Sequence, residues 1–114
     1  MRAEVERMYA LHRKLKFPHG LRGADIDGVC MVTVDADASG CTQNWLVNRG
    51  VLNDDIFGTA ARCLDDLHRV VPLFADPASP HHRPYAAHYY GRLREMVRLI
   101  VLDGAHHADP SRSP

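Results

Sequence analysis

Asp35 and Asp37, separated by one alanine, are the residues best placed to do chemistry in this chain. In extended backbone, side chains two residues apart share a face. The two carboxylates could then hold Mg²⁺ or Ca²⁺ with Asp25 or Asp27. They could also work as an acid/base pair with His12 or His68 as partner. The pattern stops short of a calcium loop, because no Asp-x-Asp-x-Asp-Gly run with a distal Glu is present. The plainer role is a helix cap beside a turn residue.

Other candidates for chemistry are thinner. There are eight histidines, but His81-His82 and His106-His107 are adjacent pairs that point in different directions. No HExxH, H-x-E or Cys/His zinc spacing occurs. The serines (Ser39, Ser79, Ser111, Ser113) fall in loop, turn or tail contexts without a Gly-x-Ser-x-Gly elbow. No P-loop or Gly-x-Gly-x-x-Gly fingerprint is present. Cys30, Cys41 and Cys63 are odd in number, lack C-x-x-C spacing and sit in apolar contexts. They are expected to be reduced, buried, small hydrophobes. No metal or cofactor is expected.

Tyr85, Tyr89 and Tyr90 cluster within two helical turns, and Tyr85, Tyr89 and Leu93 line one side of a wide apolar stripe. Tyrosine offers large contact area at little entropic cost, so Tyr85, Tyr89 and Leu93 are the candidate interface, and core packing with the hydroxyls reaching the surface is the plainer role. Arg83, Arg92, Arg94 and Arg98 could form a phosphate-contacting ridge on the last helix, but a solvated face is favoured. Arg92 lies about 160° round the helix from Arg94, and Glu95 interrupts them. Nucleic acid is not an expected partner.

Four segments must position these residues. Residues 2–16 place Val5, Met8, Tyr9, His12 and Leu15 at helical spacing, and Pro18 ends the run. Residues 18–28 hold Pro18, Gly20, Gly23 and Gly28 and read as a loop. The β-prone run Val-Cys-Met-Val-Thr-Val predicts an extended segment over 29–34. Beyond it, a helix over 37–48 capped by Asp35 or Asp37 and stopped by Arg49-Gly50 competes with a hairpin over 29–47. The helix is favoured, although Gly40 costs about 1 kcal/mol inside it.

Residues 54–71 form the next helix, with Asn53 as N-cap and Phe57, Ala60, Ala61, Leu64, Leu67 and Val71 on its apolar face. Asp65–Arg69 and Arg62–Asp66 are expected i,i+4 pairs, and Pro72 is expected to stop or kink the helix. Residues 85–103 form the last, with Pro84 at its entrance and Gly104 at its exit. These two helices, joined by a short Pro-containing linker, should pack antiparallel. The segments at 2–16 and 29–48, or a second copy of the chain, must cover the open side.

The predicted fold is therefore a small helical bundle of three to four helices in one domain over 1–103. A basic N-terminal helix and loop (1–23) precede the core (24–103), and a flexible tail follows at 104–114. At 114 residues there is room for one domain only. The 14 Lys+Arg balance 14 Asp+Glu, which excludes a strongly basic nucleic-acid binder. The balance is segregated: residues 1–23 carry +4, residues 24–66 carry −6 and residues 67–114 carry +2. No run of apolar residues is long enough to span a bilayer, and acids interrupt the start of the chain where a signal peptide is apolar. A cytoplasmic location is expected. No motif assigns a reaction. The expected function is a non-catalytic protein–protein interaction or regulatory domain, self-associating as a homodimer. The alternative is a small metal-dependent or acid/base enzyme centred on Asp35 and Asp37.

Overall fold

Helical spacing in the first segment produces helix α1, Arg2–Lys14, which buries Val5 and His12 and half-buries Met8 and Tyr9. The structure is a computed structural model and describes residues 1–107. After α1 the chain turns through Pro18 into a two-stranded hairpin, β1 (Asp25–Ile26) and β2 (Val29–Cys30). The strands pair antiparallel with Asp25 opposite Cys30 and Ile26 opposite Val29. Asp27 (φ 51°) and Gly28 (φ 81°) both lie in the left-handed region, as a two-residue type I′ turn requires. An Asp-Gly pair meets that requirement at little steric cost.

The extended segment is thus two residues long here, not six. Helix α2, Met31–Val47, begins immediately after the hairpin. It starts six residues before the expected 37, and the alternative hairpin over 29–47 does not form. The β-branched residues at 32–34 are carried into a helix because burial outweighs their local preference. Met31, Val34, Ala38, Cys41 and Trp45 recur at alternating three- and four-residue steps and all face the core. No side chain caps α2, so neither Asp35 nor Asp37 plays that part. The exit is a Schellman turn: Gly50 N–H bonds Trp45 O at 2.7 Å and Arg49 N–H bonds Leu46 O at 3.4 Å. Arg49 itself takes the left-handed C′ position, with Gly50 after it.

Helix α3 spans Asp54–Ala75, and the Asn53 side chain accepts from Ile56 N–H at its start. Pro72 lies inside α3 and does not stop it. Proline there removes one N–H from the ladder, and the carbonyl it leaves belongs to exposed His68, which water can reach. Burial of Val71 and Phe74 on either side offsets the loss. Helix α4 spans Pro84–His107, so it passes through Gly104 instead of ending there. The remainder of the expected tail, residues 108–114, lies outside the described residues.

Helices α3 and α4 run antiparallel, as expected. Phe57 near the start of α3 meets Gly104 near the end of α4, and Phe74 at the end of α3 stacks on Tyr90 near the start of α4. Helices α1 and α2 cover their open side within one chain. The core gathers residues from all four helices and the hairpin, with Tyr90, Phe74, Leu67, Leu93, Met96 and Ile100 fully enclosed. Leu64 is only half-buried at its edge. Among the described residues no helix is long and apolar enough to cross a membrane.

Two of the helical glycines, Gly40 and Gly104, differ in kind. A Cβ on Gly104 would sit 2.6 Å from the Phe57 ring, whereas one on Gly40 would meet nothing within 4 Å. Alanine is intrinsically better than glycine in a helix interior by about 1 kcal/mol. Gly40→Ala should therefore raise stability by up to about 1 kcal/mol, and Gly104→Ala should lower it despite the same local gain. Paired urea denaturation curves test this. Equal stabilisation by both would mean that the α3–α4 approach is looser than described.

Candidate functional site

Helix α2 enters the bundle with Asp35 on its inner flank. Helices α1 and α4 bring two polar groups to it. His12 Nε2 donates to Asp35 Oδ1 at 3.1 Å, and Tyr89 Oη donates to Asp35 Oδ2 at 2.9 Å. Ser39 Oγ, one turn further along α2, lies 3.5 Å from Oδ1. The His12 and Tyr89 rings are 4.6 Å apart between centroids. Tyr90 Oη donates to Met31 O at 2.9 Å beside this group. One carboxyl therefore ties three helices together.

The environment is nearly dry. His12 is 5% exposed and Tyr89 4% exposed. Burial, reinforced by the nearby Asp35 carboxylate that accepts its hydrogen bond, pushes the Tyr89 hydroxyl well above its usual range. Tyr90 is pushed the same way, again chiefly by burial. His12 Nδ1 is buried with no hydrogen-bond partner among the described residues. Donation from Nε2 leaves a lone pair on Nδ1 in the neutral ring. A buried lone pair costs less than a stranded N–H.

Asp37 does not join Asp35. Two positions along a helix turn the side chain by about 200°, so Asp37 is exposed on the flank that faces α3. There it lines a cleft of about 330 Å³ with Thr33, Thr59, Arg62, Cys63 and Arg69. Of the two histidines considered as partners, His12 meets Asp35, while His68 is exposed on α3. The expected i,i+4 pairs are replaced. Arg69 reaches Asp66 at 3.5 Å and Asp27 at 3.8 Å, and Arg62 bonds the Thr59 hydroxyl. Among the described residues no group of three or more His, Cys, Asp or Glu is arranged to hold a metal ion.

The cysteines divide. Cys41 and Cys63 are buried, and burial pushes the Cys63 thiol up to about 12. Cys30 is exposed instead of buried, because its place in the hairpin turns Val29 inward and Cys30 outward. The hydroxyl of Thr33 donates to Cys30 Sγ at 3.1 Å and draws that thiol below its usual range.

The expected interface stripe is largely taken up inside the chain. Tyr89 and Leu93 are buried, and only Tyr85 is exposed, its hydroxyl bonded to Lys16 O at 2.6 Å. Among the arginines, Arg98 is bound to Glu95 by two hydrogen bonds at 2.6 and 2.9 Å, and Arg83 N–H groups reach His19 O at the other end of α4. Sequence reasoning missed the role of Tyr89 as a donor to Asp35. The signal available was the spacing of Tyr85 and Tyr89 on a helix that must lie against the helix carrying His12. Compared with protein-family models, with curated proteins and with solved structures, the chain matches none.

Two tests follow from this geometry. Tyr89→Phe should destabilise by about 1–2 kcal/mol and Asp35→Ala by about 2–4 kcal/mol, because the second strands two buried polar groups. Urea denaturation measures both, and losses below about 0.5 kcal/mol, the range of ordinary surface changes, would remove the structural role. The pH dependence has a definite sign. Cys63, Tyr89 and Tyr90 are all raised in the folded state, so their stabilisation is complete below their ordinary values of 9.0 and 10.0. It is lost as pH climbs above those values, because the unfolded chain releases the protons first. Stability should hold from pH 7 to about 8.5 and fall beyond, and Cys63→Ala should flatten the first part of that fall. A pH-independent stability up to about 11 would contradict it.

Proposed function

We propose that the chain is a small non-catalytic protein–protein interaction domain that associates with a second copy of itself. The observation that carries this reading is the contrast between its polar and apolar groups. The carboxyl best placed for chemistry, Asp35, has both oxygens engaged inside the bundle. Large apolar side chains meanwhile stand uncovered at one end. Val47 is 71% exposed, Val51 67% and Leu102 54%. All three are near in sequence to residues of the shallow cleft formed by Arg2, Trp45, Arg49, Gly50 and Asp103. Large apolar side chains left exposed near one end of a small chain favour association there. A two-fold arrangement presents the same patch on both copies. The segregated charges support it, since a basic α1 and an acidic middle can oppose each other across a symmetric pair.

One observation favours a second reading, an acid/base enzyme working through Asp35. The His12–Asp35 bond leaves Nδ1 without a partner among the described residues, and a carboxylate-oriented imidazole is a general-base arrangement. That reading requires a reactant to reach a side chain that is 5% exposed. The metal-dependent version requires Asp35 and Asp37 to act jointly from opposite flanks of α2.

Light scattering coupled to size exclusion tests the leading reading. The wild-type chain should run as a dimer at tens of micromolar. Val47→Asp combined with Leu102→Asp should give a monomer with unchanged far-ultraviolet circular dichroism. A wild-type monomer would overturn self-association.

A further inference from the structure

At the end of the molecule opposite the apolar patch, the loop after α1 and the first turn of α4 enclose a groove of about 660 Å³. Its floor is apolar, made of Phe17, Pro18, Pro84, Tyr85 and Ala86. Lys16, His19, His82 and Arg83 form its rim, and no acidic residue lines it. We propose that this groove docks a peptide segment of a partner protein in which an aromatic or aliphatic side chain is flanked by carboxylates. The proposal rests on reading the chain as an interaction domain, and it names the chemistry of a second partner.

Three features argue for that occupant. The rim is unpaired: among the described residues, Lys16 and Arg83 form no ion pair with any carboxylate. The groove is also held in shape without a ligand. Tyr85 Oη donates to Lys16 O at 2.6 Å, Arg83 donates to His19 O at 3.3 Å, and His82 Nδ1 donates to Phe74 O at 3.1 Å. The first two bonds join the two walls, and the third ties His82 to the end of α3. Fixed walls lower the entropic cost of binding. The third feature is charge complementarity with an apolar floor. An apolar side chain fills the Phe17–Pro84–Tyr85 surface while neighbouring carboxylates meet the cations, and the positive end of the α4 dipole adds to the field. The groove is partly open to solvent, whereas small-molecule sites enclose about 70–90% of their ligand. An extended peptide fits an open groove better than a free carboxylic acid does.

The test titrates isotope-labelled full-length chain with acetyl-Asp-Asp-Leu-Trp-Asp-Asp-amide and follows backbone amide shifts. Two control peptides replace all Asp by Lys, or Leu-Trp by Ala-Ala. A third probe is the small acid indole-3-acetate. Saturable shifts centred on 16–20 and 82–86, seen with the acidic aromatic peptide and with neither control, are the expected result. Lys16→Gln with Arg83→Gln should weaken binding by about three- to tenfold while leaving the spectrum elsewhere unchanged. No shift at millimolar peptide, shifts elsewhere, or equal binding of the Lys peptide would overturn the proposal. So would indole-3-acetate binding as tightly as the peptide, which would make the groove a small-acid site. Light scattering on the same sample separates the two readings. A dimer without groove shifts defeats the groove proposal alone, and a monomer with groove shifts defeats self-association alone.

Discussion

A carboxyl group in a largely dry interior must have its hydrogen bonds satisfied, and Asp35 meets this requirement by recruiting one donor from each of two other helices. That constraint fixes more than a pair of contacts. It sets the rotation of α2 about its own axis, the depth at which His12 of α1 is buried and the turn of α4 that faces them. In a low-dielectric setting each such bond is stronger than in water, and each unmade one is more costly. A small bundle that relied on apolar burial alone could slide along its helix axes. The Asp35 network admits one register.

Around that point the apolar packing is conventional. The antiparallel pair α3 and α4 supplies most of the core, with Gly104 letting Phe57 approach the α4 backbone closely. Helix α1 is mostly exposed, with Val5 and His12 its fully buried residues, so the polar bond at His12 weighs heavily in docking it. The consequence for function is a division of labour. Polar chemistry is spent inside the molecule, and both ends of a body some 49 Å long carry uncovered apolar surface. One end holds Val47, Val51 and Leu102; the other holds the basic-rimmed groove beside Tyr85.

Much of the fold is legible in the sequence where the periodicity is strong. Helices α3 and α4 follow from their apolar stripes, from Asn53 as a cap and from Pro84 at the first turn. The boundaries misread are those where tertiary contact outweighs local preference. Valines at 32 and 34 favour strand locally, yet Val34 is buried by a helical stripe that continues to Trp45. The Asp27-Gly28 turn was readable as a hairpin signal and is overshadowed by the glycines around it. Gly104 looks like a helix stop, but its role is to make room for a ring 47 residues earlier in the chain, which no local pattern records. The same holds for the site. Asp35 and His12 stand out by type, but the pairing of Asp35 with Tyr89 instead of Asp37 depends on how three helices are rotated. The tyrosine stripe is visible in the sequence, while its division into a buried Tyr89 and an exposed Tyr85 is set by α1 lying across it.

The most direct test of the central claim is a double-mutant cycle between His12→Phe and Tyr89→Phe, measured by urea denaturation in the wild-type and Asp35→Asn backgrounds. Groups that share one carboxyl should couple by about 0.5–3 kcal/mol, and the coupling should shrink when Asp35 is replaced. Additive effects within about 0.3 kcal/mol in both backgrounds would contradict the account. His12, Asp35 and Tyr89 would then be neighbours that do not hold the helices in register.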